Sequence, residues 1–404
     1  MLQAVRGLFV ALACALPAAA QDYSVAGPYG GGWTTVTVTR PGGSTFNARL
    51  VYPANASGQN QPFNAAGAPY PAISFGHGFQ QPPSAYLATL QHLASWGYVV
   101  IATESENSFF PSHQNLANDL RHSLTWLEQQ DANPASTYFD RIDTLAFGLS
   151  GHSMGGGASI LAAAADPRVS ALANFAAAET NPSAVAAIPS VVCPINLISG
   201  SQDTVVPVAS NGQLMFNAAR TPKLLPVITG AYHCGFVDTP AFLGFGCDSG
   251  SLAKATQLAQ SRRLALEFFE LNLRGRQDLW KRVWGETMKL DPALAVQSEP
   301  YARITPFAQR IPTTAGSSAV FTFDVQNTAA FADALDVLVE GLPYSYQLSA
   351  TSTGLLAPGA SVQVQCTVAV PVGIAPGLQR FTLSVRRASD GATRAYALRG
   401  VRIL

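Results

Sequence analysis

The stretch Gly151-His152-Ser153-Met154-Gly155 fits the pattern Gly-x-Ser-x-Gly, and its flanking segments predict a strand that turns sharply into a helix. Residues 145–149 before it are apolar, and residues 158–165 after it are mostly small. Such a turn strains the serine backbone and brings neighbouring Cβ atoms together, so it requires glycines such as those at 151 and 155–157. The helix begins directly under the serine, where its free N–H groups and positive dipole end would face an anion. The alternative is a glycine-rich helix start that only packs against a sheet.

The segments around this turn alternate between apolar strands and amphipathic helices. Near-continuous apolar strands joined by helices are typical of a mostly parallel sheet covered on both faces, so we expect an α/β fold. An alternation of polar and apolar residues around Pro41-Gly42-Gly43 predicts a hairpin on the sheet edge. The predicted strands are 34–39, 49–52, 70–75, 98–102, 145–149, 171–177, 195–199 and 223–228, and the predicted helices are 85–96, 115–130, the one after the turn, and 252–274.

From about Ile304 the pattern changes to period-two strands separated by proline and glycine turns, without a helical segment. This pattern predicts a small all-β sandwich that resembles the immunoglobulin-like or fibronectin-like modules of secreted enzymes. The module either binds a surface or is a packing domain that stabilises or spaces the rest of the chain. Its predicted strands are 320–325, 335–339, 362–370 and 381–385. The whole chain is thus predicted to consist of a signal peptide at 1–20, an α/β domain at 21–300 and the sandwich at 304–404.

The first twenty residues predict a signal peptide. Arg6 precedes the apolar run 8–16, and Ala18-Ala19-Ala20 places small residues where a signal peptidase cleaves, so the predicted mature chain begins at Gln21. The run is too short to cross a bilayer, and no later stretch of about twenty apolar residues follows. We therefore expect a soluble protein that is secreted or periplasmic. A lipoprotein anchored at Cys14 is the weaker alternative.

The composition excludes two kinds of partner. Charged residues make up 12% of the chain and the formal net charge is zero, which leaves no basic surface for nucleic acid or for lipid headgroups. Hydrophobic residues make up 48% of the 404 residues, which is enough for one large core and for that of a second domain.

A serine hydroxyl is a weak nucleophile at neutral pH, so it needs a base that a third group orients. In α/β folds with this turn, the partners follow in the order serine, acid, histidine. Five of the six histidines precede Ser153, and only His233 follows it. His233 is therefore the predicted base, and the alternative is a loop histidine without a catalytic task.

Three carboxylates lie between Ser153 and His233. Asp166 comes thirteen residues after Ser153, at the far end of the predicted helix, and a helix of that length places it about 20 Å away. Asp203 follows the strand that ends at 199, at the edge where strand ends gather around a crevice, and it is the predicted acid. Glu179, after the preceding strand, is the second candidate.

An acyl-transfer site also needs N–H donors for the oxyanion, one from the residue after the nucleophile and one from an early strand-to-helix loop. Met154 supplies the first donor. The stretch Gly76-His77-Gly78-Phe79 ends an early strand at the same edge, so the Phe79 N–H is the predicted second donor. The alternative for this stretch is a plain glycine turn.

Four cysteines remain after the predicted cleavage. Cys234 and Cys247 would close a short loop directly after His233, and export would permit this disulfide, which is a hypothesis at this point. Cys366 lies in a strand pattern and is expected to be a buried small hydrophobe.

Five motifs together carry a resemblance: Gly76-His77-Gly78-Phe79, the segment His92–Val100, the segment Gly151–Gly157, Gly200-Ser201-Gln202-Asp203, and Tyr232-His233. With them, residues from about 33 to 274 resemble α/β-hydrolases of the group that contains cutinase-like polyester hydrolases and chlorophyllase-like and dienelactone-hydrolase-like esterases. The resemblance implies Ser153 as the nucleophile, His233 as the base and Asp203 as the acid, with Phe79 and Met154 as oxyanion donors.

The chain departs from the polyester hydrolases of this group at two places. Those enzymes place a tryptophan after the strand that follows the serine turn, where this chain reads Ala176-Ala177-Ala178-Glu179-Thr180. Their disulfide ties the acid loop to the histidine loop, whereas Cys193 lies ten residues before Asp203. The resemblance therefore leaves activity on aromatic polyesters open. The candidates for lining a substrate pocket are His77, His152, Phe109, Phe110 and Phe236.

The predicted function is an exported serine carboxylic ester hydrolase of the esterase, lipase or cutinase type, acting through an acyl-enzyme without a metal or organic cofactor. The 50 residues from Ser153 to Asp203 are used by a helix, two strands and their connections, so no large cap fits there. An open site suits bulky or polymeric esters. The first alternative is an exported serine peptidase or amidase with the same triad, and the second is a binding protein on this scaffold without catalysis. Acyl chain length and oligomeric state stay open.

Overall fold

The computed structural model describes residues 21–241, 247–306, 308–329 and 331–404, so the predicted signal peptide lies outside the described residues. The first strands are β1 Gly30–Thr39, β2 Thr45–Ala54, β3 Gly58–Gln59, β4 Tyr70–Gly76, β5 Val99–Thr103, β6 Ile142–His152, β7 Val169–Phe175, β8 Ile195–Gly200, β9 Lys223–Ile228 and β10 Leu294–Glu299. The helices are α1 Leu87–Ser95, α2 His113–Ala132, α3 Met154–Ala164, α4 Ala184–Ala187, α5 Gly212–Ala218, α6 Lys254–Leu273, α7 Trp280–Val283 and α8 Glu286–Lys289. No helix of the described residues has the length and apolar character that crossing a membrane requires.

Within the described ranges, these strands form one ten-stranded mixed sheet in the order β10-β9-β8-β7-β6-β4-β5-β2-β1-β3. The strands from β9 to β5 in that order are parallel, as their apolar sequences predict. The predicted hairpin is β1 with β2, and β2 runs antiparallel to β5. The carboxyl ends of parallel strands meet at one edge, so the loops after β4, β5, β6, β8 and β9 come together there.

The strands divide their side chains between two apolar layers, one on each face of the sheet. In β5, Val99 and Ile101 face the layer that α2 and α3 cover, while Val100 and Ala102 face the layer that α1 and α6 cover. All four side chains are fully buried. Successive side chains of a strand point to opposite faces, so a strand that is covered on both faces is apolar throughout. The helices therefore lie on both faces, as the sequence predicts.

After β10 the described chain continues as strands without helices. These strands are β11 Ala302–Thr305, β12 Ala308–Thr313, β13 Ser318–Asn327, β14 Asp333–Glu340, β15 Tyr346–Leu348, β16 Ser352–Leu356, β17 Ser361–Ala369, β18 Gly377–Arg387 and β19 Thr393–Ile403. They form two sheets, in the orders β11-β13-β17-β15 and β12-β19-β18-β14-β16. The all-β character from about residue 304 is confirmed, while the immunoglobulin-like topology and the boundaries of a separate domain stay predictions.

The second of these sheets contacts the helices that end the α/β part. The Tyr396 ring lies 4.9 Å from that of Trp280, nearly perpendicular to it. The Tyr396 hydroxyl also accepts the backbone N–H of Glu286. Strand β19 is thereby joined to α7 and α8, and the buried edge-to-face contact stabilises the junction.

Stability should fall as the pH drops below 6.5, because His92 is buried without charge. Its Nε2 donates to the Tyr23 carbonyl oxygen over 2.9 Å. Burial, reinforced by Arg262, lowers the pKa of His92 from 6.5 to about 4. Between these two values the unfolded chain binds a proton that the folded chain does not. Neutral His92 therefore contributes its full stability above pH 6.5. This contribution is lost as the pH falls from 6.5 to about 4, by at most about 3 kcal/mol.

His92→Gln separates this effect from other titrations. Glutamine keeps an N–H donor for Tyr23 but does not titrate, so the free energy of unfolding of the variant should change less with pH. Urea unfolding of both proteins at about pH 7 and about pH 4.5 measures the difference. Equal losses in the wild type and in His92→Gln would contradict the assignment.

Candidate active site

Ser153 lies at the turn between β6 and α3, where the sequence places it. Its φ of 55° is in the left-handed region, which residues with a Cβ rarely adopt. A Cβ on Gly151 would lie 2.4 Å from the Gly155 carbonyl oxygen, and one on Gly155 would lie 2.2 Å from that of Gly76. Any larger residue at these two positions would collide with backbone, so the turn depends on both glycines.

Backbone hydrogen bonds hold Ser153 in this conformation. Its N–H donates to the Phe175 carbonyl over 3.0 Å, and its own carbonyl accepts from Gly157 at 3.1 Å and from Ala178 at 3.0 Å. The side chain makes no capping bond to α3 and is 9% exposed, so the hydroxyl is not committed to the helix. Strain that is kept in place by surrounding contacts is typical of functional positions.

Asp203 and His233 form a buried carboxylate–imidazole pair at the same sheet edge. Asp203 follows β8, His233 begins a short 3-10 turn after β9, and the distance from Asp203 Oδ2 to His233 Nδ1 is 2.8 Å. The other oxygen, Oδ1, accepts the N–H groups of Val205 at 3.0 Å and Val206 at 2.6 Å. The oriented carboxylate keeps the neutral ring protonated on Nδ1, which leaves Nε2 as its basic nitrogen.

The other two carboxylates between the serine and the histidine are engaged elsewhere. Glu179 is exposed, and its carboxylate accepts the Val185 N–H over 3.0 Å at the start of α4. Asp166 pairs with the Arg168 guanidinium at 2.6 Å. Of these three carboxylates, Asp203 is the one that contacts His233 in the part of the chain that the structure describes.

The two predicted oxyanion donors are the backbone N–H groups of Met154 and Phe79. Met154 is the first residue of α3, where an N–H has no partner inside the helix. The Phe79 N–H, in the turn after β4, has no acceptor in the described part of the chain. Gly78 packs directly against the serine, since a Cβ on Gly78 would lie 3.5 Å from the Ser153 Cβ. Free N–H donors around a nucleophile are the arrangement that stabilises an oxyanion.

His152 is hydrogen-bonded to Tyr86, which sequence reasoning did not single out. The Gly78 N–H donates to the Tyr86 hydroxyl at 3.0 Å, and that hydroxyl lies 2.9 Å from His152 Nδ1. Burial lowers the pKa of His152 well below its usual range, and the His233 ring, with centroids 4.5 Å apart, acts in the same direction. His152 is therefore an uncharged ring beside His233.

The five predicted pocket-lining residues differ in burial: Phe109 and Phe110 are 72% and 94% exposed, whereas His77, His152 and Phe236 are buried. The two His77 ring nitrogens each lie 2.8 Å from a carbonyl oxygen, one of Gly78 and one of Ser105. The Phe236 ring packs 6.1 Å from that of Phe175. The three buried rings thus support the loops of the site from inside, and the candidates that face solvent are Phe109 and Phe110.

A disulfide joins Cys234 and Cys247, which confirms the hypothesis drawn from the sequence. Cys193 and Cys366 are free and buried. Burial raises the pKa of the Cys193 thiol to about 12 and that of Cys366 to about 11. Both thiols are therefore unreactive, and Cys366 is the buried small hydrophobe that its strand pattern predicts.

The mostly parallel sheet with a serine at its strand-to-helix turn is that of the α/β-hydrolase class. A family model described as PET hydrolase-like matches residues 15–240, and the chain belongs to this family. Cutinase est1 of Thermobifida alba is 26% identical over 166 residues, which are 41% of this chain and 53% of that protein. The chain thus spans about half the length of this curated relative. The resemblance drawn from the sequence is confirmed.

Proposed function

We propose that the chain is a serine carboxylic ester hydrolase that works through an acyl-enzyme on Ser153. The observation that carries this proposal is the Asp203–His233 pair, 2.8 Å apart, at the sheet edge where Ser153 lies. His233 takes the hydroxyl proton as Ser153 attacks the ester carbonyl, and later gives it to the leaving alcohol. The N–H groups of Phe79 and Met154 hold the oxyanion. Water then attacks the acyl-enzyme by the same route and releases the acid.

Rates on p-nitrophenyl esters from acetate to palmitate, measured beside p-nitroanilides of the same acyl groups, test this function. We expect ester turnover with a chain-length optimum and far slower anilide cleavage. Anilides that are cleaved as fast as esters would favour a peptidase or amidase. Purified folded protein that turns over neither would contradict the proposal.

Exposed phenylalanines on the loops after β4 and β5 support a hydrophobic ester as the substrate. Phe79 is 47% exposed, and Phe109 and Phe110 on the neighbouring loop are more exposed still. A shallow cleft of about 340 Å³ opens between these loops, lined by Gln80, Pro82, Asn107, Ser108, Phe109 and Ala241. Apolar side chains around an open cleft suit a bulky or polymeric ester, which is also what the PET hydrolase-like description of the family suggests.

Activity on a long-chain ester should rise without a jump at its micelle concentration. The segment from Ser153 to Asp203 contains α3, β7, α4, a 3-10 turn and β8, and these elements leave no length for a lid over the serine. Initial rates measured across the micelle concentration check this expectation. A sharp increase there would mean that another part of the chain closes the site.

We also propose export, with cleavage before Gln21. The residues after the proposed cleavage point are part of the fold, because the Arg282 Nη1 donates to the Gln21 carbonyl at 2.8 Å and Tyr23 is fully buried. The intact mass of protein recovered from periplasm or medium tests the cleavage point. For residues 304–404 we propose a packing role, which the contact of Tyr396 with Trp280 supports.

A further inference from the structure

Asp248 connects the two loops that carry the acid and the base. Its Oδ2 accepts the backbone N–H of His233 at 3.0 Å and that of Thr204, the residue after Asp203, at 3.1 Å. Its Oδ1 accepts the Cys234 N–H at 3.1 Å. One carboxylate thus binds the backbone of both loops at or beside their functional residues.

We propose that Asp248 is a positioning residue for His233, and that the Cys234–Cys247 disulfide keeps Asp248 in that role; the inference rests on the proposed function. The 2.8 Å bond from Asp203 to His233 orients the imidazole ring. Asp248 acts at a different point, because it holds the backbone from which that ring extends. Fixing the ring and its backbone together sets where Nε2 stands relative to the Ser153 hydroxyl.

The segment that carries Asp248 is anchored on both sides. Cys247, the preceding residue, is covalently joined to Cys234 in the histidine loop. Beyond Asp248, the Ser251 N–H donates to Gln202 Oε1 at 2.7 Å, and the Leu252 N–H donates to the Gly230 carbonyl at 3.0 Å. The carboxylate is thus held against the acid and histidine loops by a covalent bond and by hydrogen bonds to each loop.

The proposed proton transfers require His233 Nε2 to be placed accurately. Nε2 has to reach first the serine hydroxyl and then the leaving oxygen, and a base displaced by about 1 Å loses about a hundredfold in rate. In Asp248→Asn, one oxygen becomes an amide nitrogen, which donates hydrogen bonds and cannot accept them. At least one of the three backbone N–H groups therefore loses its acceptor. We expect kcat to fall about ten- to a hundredfold with KM nearly unchanged, and further in Asp248→Ala.

The experiment measures kcat and KM on a p-nitrophenyl ester, with active-site concentration determined by burst titration so that unfolded molecules are not counted. The matched control is Asp131→Asn. Asp131 Oδ1 likewise accepts two backbone N–H groups, of Arg141 at 2.8 Å and Ile142 at 2.9 Å, but at the opposite end of the sheet. Asp131→Asn should keep kcat, because the amide oxygen of asparagine can retain both N–H bonds and the position lies at the opposite end of the sheet. A wild-type kcat per active site in both Asp248 variants would overturn the inference, whereas a wild type without ester activity would refute the proposed function instead.

A double-mutant cycle tests the role of the disulfide. Cys234→Ser with Cys247→Ser should lower kcat in the wild-type background but add little to Asp248→Asn, because the bridge acts through Asp248. Fully additive losses would show that the bridge acts on His233 independently, and would overturn that part of the inference.

Discussion

Ser153→Ala is expected to lower kcat on an ester by about a millionfold, with little change in KM. In the proposed mechanism, the substitution removes the oxygen that attacks the ester and the proton that His233 accepts, while the proposed oxyanion donors, the N–H groups of Phe79 and Met154, stay in place. The rate that remains is that of water attacking an ester bound at the oxyanion donors. Long incubations of the purified variant and the wild type with the best p-nitrophenyl ester measure the ratio.

Ser159→Ala is the matched control for this variant. Ser159 lies in α3, the helix that follows Ser153, and its hydroxyl points into the interior, 2.7 Å from the Gly156 carbonyl oxygen and 2.8 Å from Asn174 Oδ1. Its removal should lower Tm and leave kcat unchanged. If Ser153→Ala kept more than a small fraction of the wild-type rate, Ser153 would not be the nucleophile.

Asp203→Asn should lower kcat by about ten-thousandfold. Asparagine has the same shape, and its carbonyl oxygen can keep the N–H bonds of Val205 and Val206. The amide nitrogen then faces His233 Nδ1 and donates to it, so the ring carries its proton on Nε2 and cannot take one from Ser153. Steady-state kinetics at a pH above the histidine titration range, with unchanged near-UV circular dichroism, measure the effect on a folded enzyme.

Glu179→Gln distinguishes Asp203 from the second candidate acid. The Glu179 carboxylate is exposed and accepts the Val185 N–H, a bond that glutamine retains. Its kcat should therefore stay within about twofold of the wild type. If kcat fell further in Glu179→Gln than in Asp203→Asn, Glu179, which follows β7, would be the acid.

The serine turn and the parallel sheet could be predicted because their causes are local. Gly151 and Gly155 leave no room for a Cβ against backbone, and that requirement is visible as a motif in the sequence. The parallel strands are mostly apolar because both their faces are covered. His233 and Asp203 followed from the fixed chain order of such sites and from the shortage of other candidates, and their contact is what the structure adds.

Strands β10 and β19 were missed because polar residues interrupt their apolar pattern. β10 lies at the sheet edge and is partly exposed, so Gln297 and Glu299 are tolerated there. β19 carries the buried Arg399, whose guanidinium lies 5.5 Å from the Phe323 ring centroid. A long arginine side chain packs its methylene groups like an apolar residue, which a polar and apolar pattern does not reveal.

The supporting residues of the site could not be predicted because their partners are distant in sequence. Tyr86 bonds His152, 66 residues away, and Asp248 bonds Thr204, 44 residues away. Neither tyrosine nor aspartate stands in a motif at these positions. Such contacts exist only once the loops after β4, β6, β8 and β9 meet at one edge of the sheet.

Labelling the nucleophile with a phosphonate, which forms a stable analogue of the acyl-enzyme, tests the proposed mechanism most directly. The protein is incubated with a p-nitrophenyl alkylphosphonate, which transfers its phosphonyl group to an activated serine and releases p-nitrophenol. The digested protein is then analysed by mass spectrometry. The mechanism predicts one adduct per chain, on the peptide that contains Ser153, a matching burst of p-nitrophenol, and complete loss of ester hydrolysis. An adduct on another residue, or full activity after labelling of Ser153, would contradict it.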